Sequence, residues 1–140
     1  VARHTMSQGN PRYVNYPSGV SMPLFPAAAP TDTKSMILVE GLFDFLNLWD
    51  KGVHNAACCF GTNTLNKDMQ QKLLPYRAQG ITHIYILFDG DTAGAKAAQE
   101  LKPEIELCGF VTEIIKLPDG LDPGDLDQET VSSIAEYTKK

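Results

Sequence analysis

From Ser35 onward, short apolar runs alternate with segments whose apolar residues recur every three to four positions. The runs are typical of strands buried on both faces, and the spaced segments predict amphipathic helices. Four strands are predicted, at Met36–Glu40, Val53–Phe60, Thr82–Phe88 and Phe110–Leu117. Because strands that alternate with helices form parallel sheets, the pattern predicts an α/β domain with about four mainly parallel strands flanked by helices.

The first two predicted helices follow from their apolar stripes. The stripe of the first helix is Leu42, Phe45, Leu46 and Trp49, and this helix ends near Gly52. The stripe of the second helix is Met69, Leu73 and Leu74. A turn at residues 61–63 precedes this second helix, which begins near Asn66, and Pro75 is expected to bend or shorten it.

Small residues dominate the inner face of the third predicted helix. Its stripe is Ala93, Ala97, Leu101 and Ile105. Gly94 and Ala98 lie beside this stripe, so the helix can approach the sheet closely, and Pro103 predicts a break. A last helix is predicted to begin at Asp125, because Asp125 with Gln128 three positions later is a variant of the capping box.

Residues 1–34 show no such periodicity. Prolines recur there between glycines and alanines. We therefore expect an extended arm or linker over residues 1–34, in front of a domain that spans residues 35–140. Within the arm, only Arg12-Tyr13-Val14-Asn15-Tyr16-Pro17 has strand character.

Composition narrows the class of protein. The chain has 140 residues, 43% of them hydrophobic and 21% charged, which is ordinary for one globular domain. No apolar stretch approaches the ~20 residues of a membrane span, and no signal-peptide pattern is present, so we expect a cytoplasmic protein. Cys58, Cys59 and Cys108 fit neither a disulfide framework nor a zinc site, which predicts reduced thiols.

The charge balance argues against a domain that binds nucleic acid by itself. The net charge is -5, whereas nucleic-acid binding generally requires a basic surface that replaces counterions on phosphates. Any nucleic-acid partner would need a divalent metal, or basic surface from other segments.

Carboxylates follow the predicted strands rather than precede them. Glu40 ends the first strand, Asp89 and Asp91 follow the third, and Asp122 lies beyond the fourth. In open parallel sheets, ligands bind beyond the carboxyl ends of the strands. We therefore expect these side chains to converge on one edge of the domain.

A cluster of carboxylates needs positive charge. Each pair of like charges about 4 Å apart costs roughly 4 kcal/mol at an effective dielectric constant near 20. Mg²⁺ or Mn²⁺ can offset this repulsion, with waters and substrate phosphates as its remaining ligands, so the residues favour phosphate chemistry. Two alternatives stay open: an Asp-Gly-Asp turn is also typical of a solvated strand-to-helix connection, and Glu40 could bind metal or act as a general acid or base.

Four stretches together, in this order and spacing, resemble the TOPRIM domain of DNA primases of the bacterial type, found in bacteria, phages and mobile elements. They are Val39-Glu40-Gly41 with Asp44, Gly61-Thr62, Asp89-Gly90-Asp91-Thr92-Ala93-Gly94 and Leu117-Pro118-Asp119-Gly120-Leu121-Asp122-Pro123. The resemblance runs from about Arg12 to Asp125 and implies a Rossmann-like TOPRIM fold. Primases often carry Asp-Pro-Asp in the last motif, but Gly124 intervenes here, so Asp125 is either the displaced last acid or a helix cap.

The resemblance implies synthesis of short RNA primers on single-stranded DNA by Mg²⁺-dependent nucleotidyl transfer. The implied metal-site residues are Glu40, Asp44, Asp89, Asp91 and Asp122, and the implied catalytic residues among them are Glu40, Asp89 and Asp91. The implied nucleotide-binding residues are Gly61, Thr62 and Lys96. No zinc site is expected within this chain.

The implied partners are a single-stranded DNA template, nucleoside triphosphates and a replicative helicase. Template and nucleotide binding would involve flanking domains absent from this chain, so we expect the chain to be inactive alone. Two alternatives keep the same fold: a TOPRIM nuclease or topoisomerase that cleaves phosphodiesters, and a non-catalytic TOPRIM scaffold. A receiver domain of the response-regulator type is disfavoured. Such domains carry their acids after the first and third strands in another order, together with a lysine near the end of the last strand, and here Lys116 lacks that accompanying pattern.

Overall fold

The computed structural model describes residues 2–3, 13–14, 21–29 and 32–139. A short antiparallel pair, β1 (Ala2–Arg3) and β2 (Tyr13–Val14), lies near the N-terminus. This pair confirms strand character at the centre of the predicted stretch at residues 12–17, whose other residues lie outside the described part.

A four-stranded parallel sheet forms the centre of the domain. Its strands are β3 (Ser35–Val39), β4 (Ala56–Cys58), β5 (His83–Ile86) and β6 (Val111–Ile114), in the spatial order β4-β3-β5-β6. All three neighbouring pairs are parallel, which confirms the predicted α/β fold. The order also places the ends of β3 and β5 side by side, so Glu40 and Asp89 leave the same edge.

Helices cover both faces of the sheet. They are α1 (Leu42–Asp50), α2 (Thr62–Asn66), α3 (Met69–Ala78), α4 (Thr92–Leu107) and α5 (Gln128–Thr138). Phe45 of α1 and Val131 of α5 are buried on one face, and Leu73 of α3 and Leu101 of α4 on the other. Among the described residues, no helix combines the length and apolar character needed to cross a bilayer.

Several predicted element bounds are wrong. The second strand is limited to Ala56–Cys58, because the chain turns before it and Val53 packs into the core from outside the sheet. The helix expected from Asn66 begins at Met69 instead, since Asp68 adopts a left-handed conformation with φ of 60°. The turn expected at residues 61–63 is the start of a separate short helix, α2.

The prolines do not end their helices. α3 continues past Pro75 to Ala78, and α4 continues past Pro103 to Leu107. In α4, burial of Leu101 and Ile105 on either side of Pro103 holds the helix against the sheet despite the lost hydrogen bond. Some predicted stripe residues face outward instead, since Leu46 is 46% exposed and Leu74 is 61% exposed.

The last helix begins later than predicted. The Asp127 side chain accepts a hydrogen bond from the Thr130 N–H at 2.8 Å, so Asp127 is the N-cap of α5. Asp125 ends a single 3-10 turn at Pro123–Asp125. The helix-cap alternative for Asp125 is therefore wrong, because the chain turns once more before α5 begins.

Part of the predicted arm packs on the domain. Leu24 is buried, and Phe25 exchanges two backbone hydrogen bonds with Cys58, at 3.0 and 2.8 Å, along the outer edge of β4. The Gln79 side chain exchanges two hydrogen bonds with the backbone of Ala29. The predicted boundary between an arm and a domain at residue 34 stays a prediction. The described part of the arm, residues 21–29, is held against the sheet.

The three cysteines are free, as predicted. Cys58 and Cys59 are buried and Cys108 is partly buried. Burial raises the pKa of Cys58 to about 12, so this thiol stays protonated and acts as an apolar core residue.

Candidate metal centre

A cavity of about 430 Å³ opens at the carboxyl ends of β3 and β5. The carboxylates that line it are Glu40, Asp44, Asp89, Asp122 and Asp125. No lysine or arginine of the described residues contributes to this lining. Of the four acids expected to converge, Glu40, Asp89 and Asp122 therefore meet at one edge of the sheet, and the cavity carries strong negative charge without basic side chains in its walls.

Three of these acids come close enough to share a cation. One carboxylate oxygen each of Asp44, Asp89 and Asp122 lies within 4.8 Å of the other two, and all three residues are partly buried. Carboxylate oxygens are the ligands that hard divalent cations prefer. The donor set therefore fits a divalent metal ion.

Glu40 sits beside this group at the end of β3. Its backbone carbonyl accepts hydrogen bonds from the Gly61 N–H at 3.2 Å and from the Cys58 thiol at 3.3 Å, which ties the end of β3 to the chain leaving β4. Burial raises the pKa of Glu40, and the nearby Asp89 and Asp44 raise it further. Glu40 therefore gains a proton more readily than an exposed glutamate.

Asp44 connects two parts of the cavity wall. Its Oδ2 accepts a hydrogen bond from the Gly41 N–H at 3.1 Å, and its Oδ1 accepts one from the Gly124 N–H at 3.0 Å. Burial and the neighbouring Asp89 raise the pKa of Asp44 to about 6, although these hydrogen bonds act in the opposite direction. Asp44 therefore joins the start of α1 to the 3-10 turn.

Gly90 brings the loop after β6 next to Asp89. The Gly90 N–H donates to the Leu121 carbonyl at 2.7 Å, and the Gly120 N–H donates to the Gly90 carbonyl at 2.9 Å. A Cβ atom on Gly90 would lie 2.2 Å from the Pro118 carbonyl oxygen, so only glycine fits there. This close contact positions Asp122 within reach of Asp89.

Asp91 takes a different position from Asp89. Its Oδ1 accepts a hydrogen bond from the Gly94 N–H at 2.6 Å, so Asp91 is the N-cap of α4. It lines an adjoining cleft of about 170 Å³ between the start of α4 and the end of β6, which Asp89 also borders, and its side chain is exposed. Its charge is still near enough to contribute to the raised pKa of Glu40. The structure thus does not bring Asp91 into the acid cavity, and its metal role stays a prediction.

The three residues expected to bind nucleotide are dispersed. Gly61 lines the acid cavity, whereas Thr62 begins α2 and is absent from the lining. Lys96 lies on the exposed face of α4, where its Nζ is 3.8 Å from Glu100 Oε1. Nucleotide contacts by these residues stay predictions.

Sequence reasoning missed a residue that holds the cavity together. The Asn47 side-chain amide donates to the Pro123 carbonyl at 2.8 Å and to the Leu126 carbonyl at 3.1 Å, which fixes the 3-10 turn against α1. Its signal was its spacing, since Asn47 follows Asp44 by three residues and so shares its helix face. Reasoning from sequence also assigned no function to Phe43 and Phe60, which line the cavity.

The sequence of this chain is similar to those of known proteins. Residues 37–127 match the Toprim-like family. The chain is 36% identical over 93 residues to the DNA primase of Aquifex aeolicus, covering 66% of this chain and 18% of that protein. It is 35% identical over 91 residues to the DNA primase of Clostridium acetobutylicum, covering 65% of this chain and 14% of that protein.

Solved primase structures share the fold. The zinc-binding and RNA polymerase domains of the Aquifex aeolicus primase superpose with a TM-score of 0.57 at 27% identity, covering 75% of this chain and 26% of that chain. The DnaG primase catalytic domain bound to single-stranded DNA gives a TM-score of 0.64 at 22% identity, covering 95% of this chain and 45% of that chain. This second likeness concerns the fold alone.

The chain spans less than a quarter of the length of the two curated primases that it matches. The residues that match the family nevertheless run from β3 to the 3-10 turn and so include all the residues that line the acid cavity. The resemblance stated from the four motifs is therefore confirmed, and the chain belongs to the Toprim-like family.

Proposed function

We propose that this chain is the metal-binding catalytic domain of a DNA primase and takes part in the synthesis of short RNA primers on single-stranded DNA. One observation carries the proposal: Asp44, Asp89 and Asp122 converge beside Glu40 at the strand ends of a chain whose curated relatives include DNA primases. Because phosphates and these carboxylates repel each other, the cavity suits phosphate chemistry only with a divalent cation.

Asp89 with Asp44 and Asp122 would hold the cation, and we propose Mg²⁺ as the ion used. A bound divalent ion neutralises charge on phosphoryl oxygens as bonds to phosphorus change. The hydrogen bonds from the Gly41 and Gly124 N–H groups keep Asp44 in place. The contact of Gly90 with the loop after β6 keeps Asp122 in place. These residues thus fix the site before substrate arrives.

Glu40 has a separate role in this proposal. Among the described residues, the group of three converging carboxylates does not include it, although it lines the same cavity. We assign to Glu40 Oε the acceptance of the proton from the attacking 3′-hydroxyl, because its surroundings favour the protonated form.

Template and nucleotides belong to the proposal as well. A net charge of -5 disfavours binding of a phosphate backbone by this chain alone. We therefore propose that a single-stranded template and the nucleoside triphosphates are held jointly with basic segments of the longer protein, which would act with a replicative helicase in the cytoplasm. The chain alone is then expected to bind metal but not to prime.

Primer synthesis tests this function directly. The longer protein carrying this chain is incubated with single-stranded DNA, labelled ribonucleotides and Mg²⁺. We expect short RNA oligomers, and their loss in Asp89→Asn, which keeps the side-chain volume but removes a ligand charge. Glu136→Gln, which removes a carboxylate charge from the exposed face of α5 outside the cavity, serves as a matched surface control and is expected to prime at a rate close to that of the unchanged protein.

Other products would overturn the assignment. Shortened DNA without new RNA would identify a nuclease or topoisomerase that uses the same acids. Normal priming by the double variant Asp44→Asn, Asp89→Asn would identify a domain that acts by contacts with other proteins.

A further inference from the structure

Phe60 adopts a backbone conformation that a bulky residue rarely takes. Its φ is 58°, and the only other described non-glycine residue with positive φ is Asp68. Aspartate tolerates this region through local hydrogen bonding, whereas an aromatic residue there is a genuine outlier. Such outliers persist only where the surrounding structure imposes them, and they cluster at functional sites.

The neighbours of Phe60 impose this conformation. The Cys59 N–H donates to the Val39 carbonyl at 3.0 Å, and the Gly61 N–H donates to the Glu40 carbonyl at 3.2 Å. Both bonds extend the pairing of β4 with β3 as far as Glu40. The placement of the Phe60 ring is therefore tied to the backbone of Glu40.

Phe60 and Phe43 supply the aromatic part of the cavity lining. Phe43 is 56% exposed, although it is a large apolar residue. The other lining residues are the five acids and three glycines, so among the described residues no neutral polar side chain faces the cavity. The cavity thus combines a carboxylate group with an apolar aromatic wall.

We infer that Phe60, together with Phe43, stacks against the base of the nucleoside triphosphate whose phosphates are held at the acid cavity. This inference rests on the proposed function. A cavity of about 430 Å³ lies within the usual range for small-ligand sites. The base is the one part of a nucleotide that carries no phosphate charge and offers an apolar face.

The chemistry of the wall also determines its selectivity. Stacking on an aromatic ring accepts every base, because each base has a π face, whereas discrimination requires hydrogen bonds to base edges. The described lining offers no neutral polar side chain for such bonds. Phe60 is therefore a nucleotide-positioning residue that serves all four nucleotides, with purines held more tightly because they stack over a larger area.

Two ligands that differ in the base separate this role from phosphate binding. The longer protein carrying this chain is titrated with ATP and with inorganic triphosphate in saturating Mg²⁺, and the Kd of each is measured by calorimetry or NMR. In Phe60→Leu, which keeps apolar volume but removes the ring, we expect the Kd for ATP to rise roughly tenfold. We expect the Kd for inorganic triphosphate to stay unchanged.

Two further variants control for folding. Phe60→Tyr keeps the ring and is expected to bind ATP as the unchanged chain does. Phe60→Gly also removes the ring and adopts positive φ without strain, but it loses the packing of Phe60 against the core, so its urea unfolding is measured alongside. It should show the same loss for ATP as Phe60→Leu.

The remaining outcomes contradict the inference. Equal weakening of ATP and triphosphate would mean that Phe60 only holds Glu40 and its neighbours in place. Unchanged ATP binding with weaker binding of a single-stranded oligonucleotide would assign the ring to the template. Absence of Mg²⁺-dependent triphosphate binding by the longer protein would instead overturn the proposed metal site, and the stacking inference with it.

Discussion

The two aspartates of the Asp89-Gly90-Asp91 turn lie in two different regions of the molecule. Asp89 lines the large acid cavity with Asp44 and Asp122. Asp91 lies two residues further, outside that cavity, where it caps α4 and lines a smaller cleft that Asp89 also borders. Identical side chains two positions apart thus enter different local environments.

The difference shows how a strand-to-helix turn distributes its side chains. Asp89 still belongs to the rim of the sheet, whereas Asp91 already satisfies an N–H of the first helical turn, which would otherwise lack a partner. An N-cap contributes mainly to helix stability, and a carboxylate inside a cluster contributes mainly to cation binding. Substitutions at the two positions should therefore affect different measurements.

The largest expected effect is on metal affinity at Asp89. Asp89→Asn should weaken Mn²⁺ binding by on the order of 100-fold, because it removes a ligand rather than an outer-shell partner. Asp91→Asn should leave the affinity within about fivefold, since an exposed charge acts weakly. Titration of the 140-residue chain with Mn²⁺, followed by electron paramagnetic resonance, measures both values. Equal losses in the two variants would place Asp91 in the same metal site.

The next effect concerns the loop that brings Asp122 to Asp89. Gly90→Ala should lower the free energy of unfolding by about 1–3 kcal/mol, because its Cβ would lie 2.2 Å from the Pro118 carbonyl oxygen. The same variant should weaken Mn²⁺ binding, since relief of the clash displaces the loop. Gly80→Ala is the matched control: Gly80 has φ of 95° and open space around it, so only stability should fall. Urea unfolding and Mn²⁺ titration test both, and intact metal affinity in Gly90→Ala would contradict this view of the loop.

A smaller effect is expected from the helix cap. Asp91→Ala removes the acceptor for the Gly94 N–H and should lower stability by about 0.5–2 kcal/mol. Asp91→Asn keeps a good N-cap, so its unfolding midpoint in urea should stay close to that of the unchanged chain. If Asp91→Ala unfolded at an unchanged urea concentration, the cap would have no part in the stability of α4.

The smallest effect is a pH dependence from Asp44. Its pKa is raised to about 6 in the folded chain from an ordinary value of 3.8, so the folded state binds more protons than the unfolded state between these values. Without metal, this group therefore makes the free energy of unfolding decrease as pH rises from about 4 to about 6. The raised pKa of Glu40 likewise makes the free energy of unfolding decrease as pH rises.

Urea unfolding in EDTA at pH 5 and pH 7 measures this dependence. Asp44→Asn should reduce the difference in the free energy of unfolding between the two pH values, because asparagine does not titrate. Its one amide oxygen keeps only one of the two hydrogen bonds of Asp44, so the comparison concerns the pH dependence and not the absolute stability. With Mg²⁺ present, the free energy of unfolding should instead be higher at pH 7 than at pH 5, since metal binding requires deprotonated carboxylates. An unchanged difference in Asp44→Asn would show that other groups cause it.

Much of the fold could be predicted because its signals are local. The apolar runs of β3 and β5 and the buried Leu101 and Ile105 of α4 follow from side-chain periodicity, whereas in the first turns of α4 Gly94 and Ala98 are buried in place of the expected Ala93 and Ala97. Wrong bounds occurred where tertiary packing outweighs local preference. Pro103 stays inside α4 because Leu101 and Ile105 on either side of it are buried, and Asp68 separates α2 from α3 through a backbone angle that no periodicity reveals.

The sequence by itself determined that this chain forms a parallel α/β domain with acids at its strand ends, since periodicity and strand-end placement are properties of neighbouring residues. Only the tertiary structure decided which acids share a cavity. Asp44 meets the backbone of Gly124 across 80 positions of the chain, and Gly90 meets Leu121. Such contacts depend on how distant loops pack together, so they join Asp122 to Asp89 and leave Asp91 at the start of a helix.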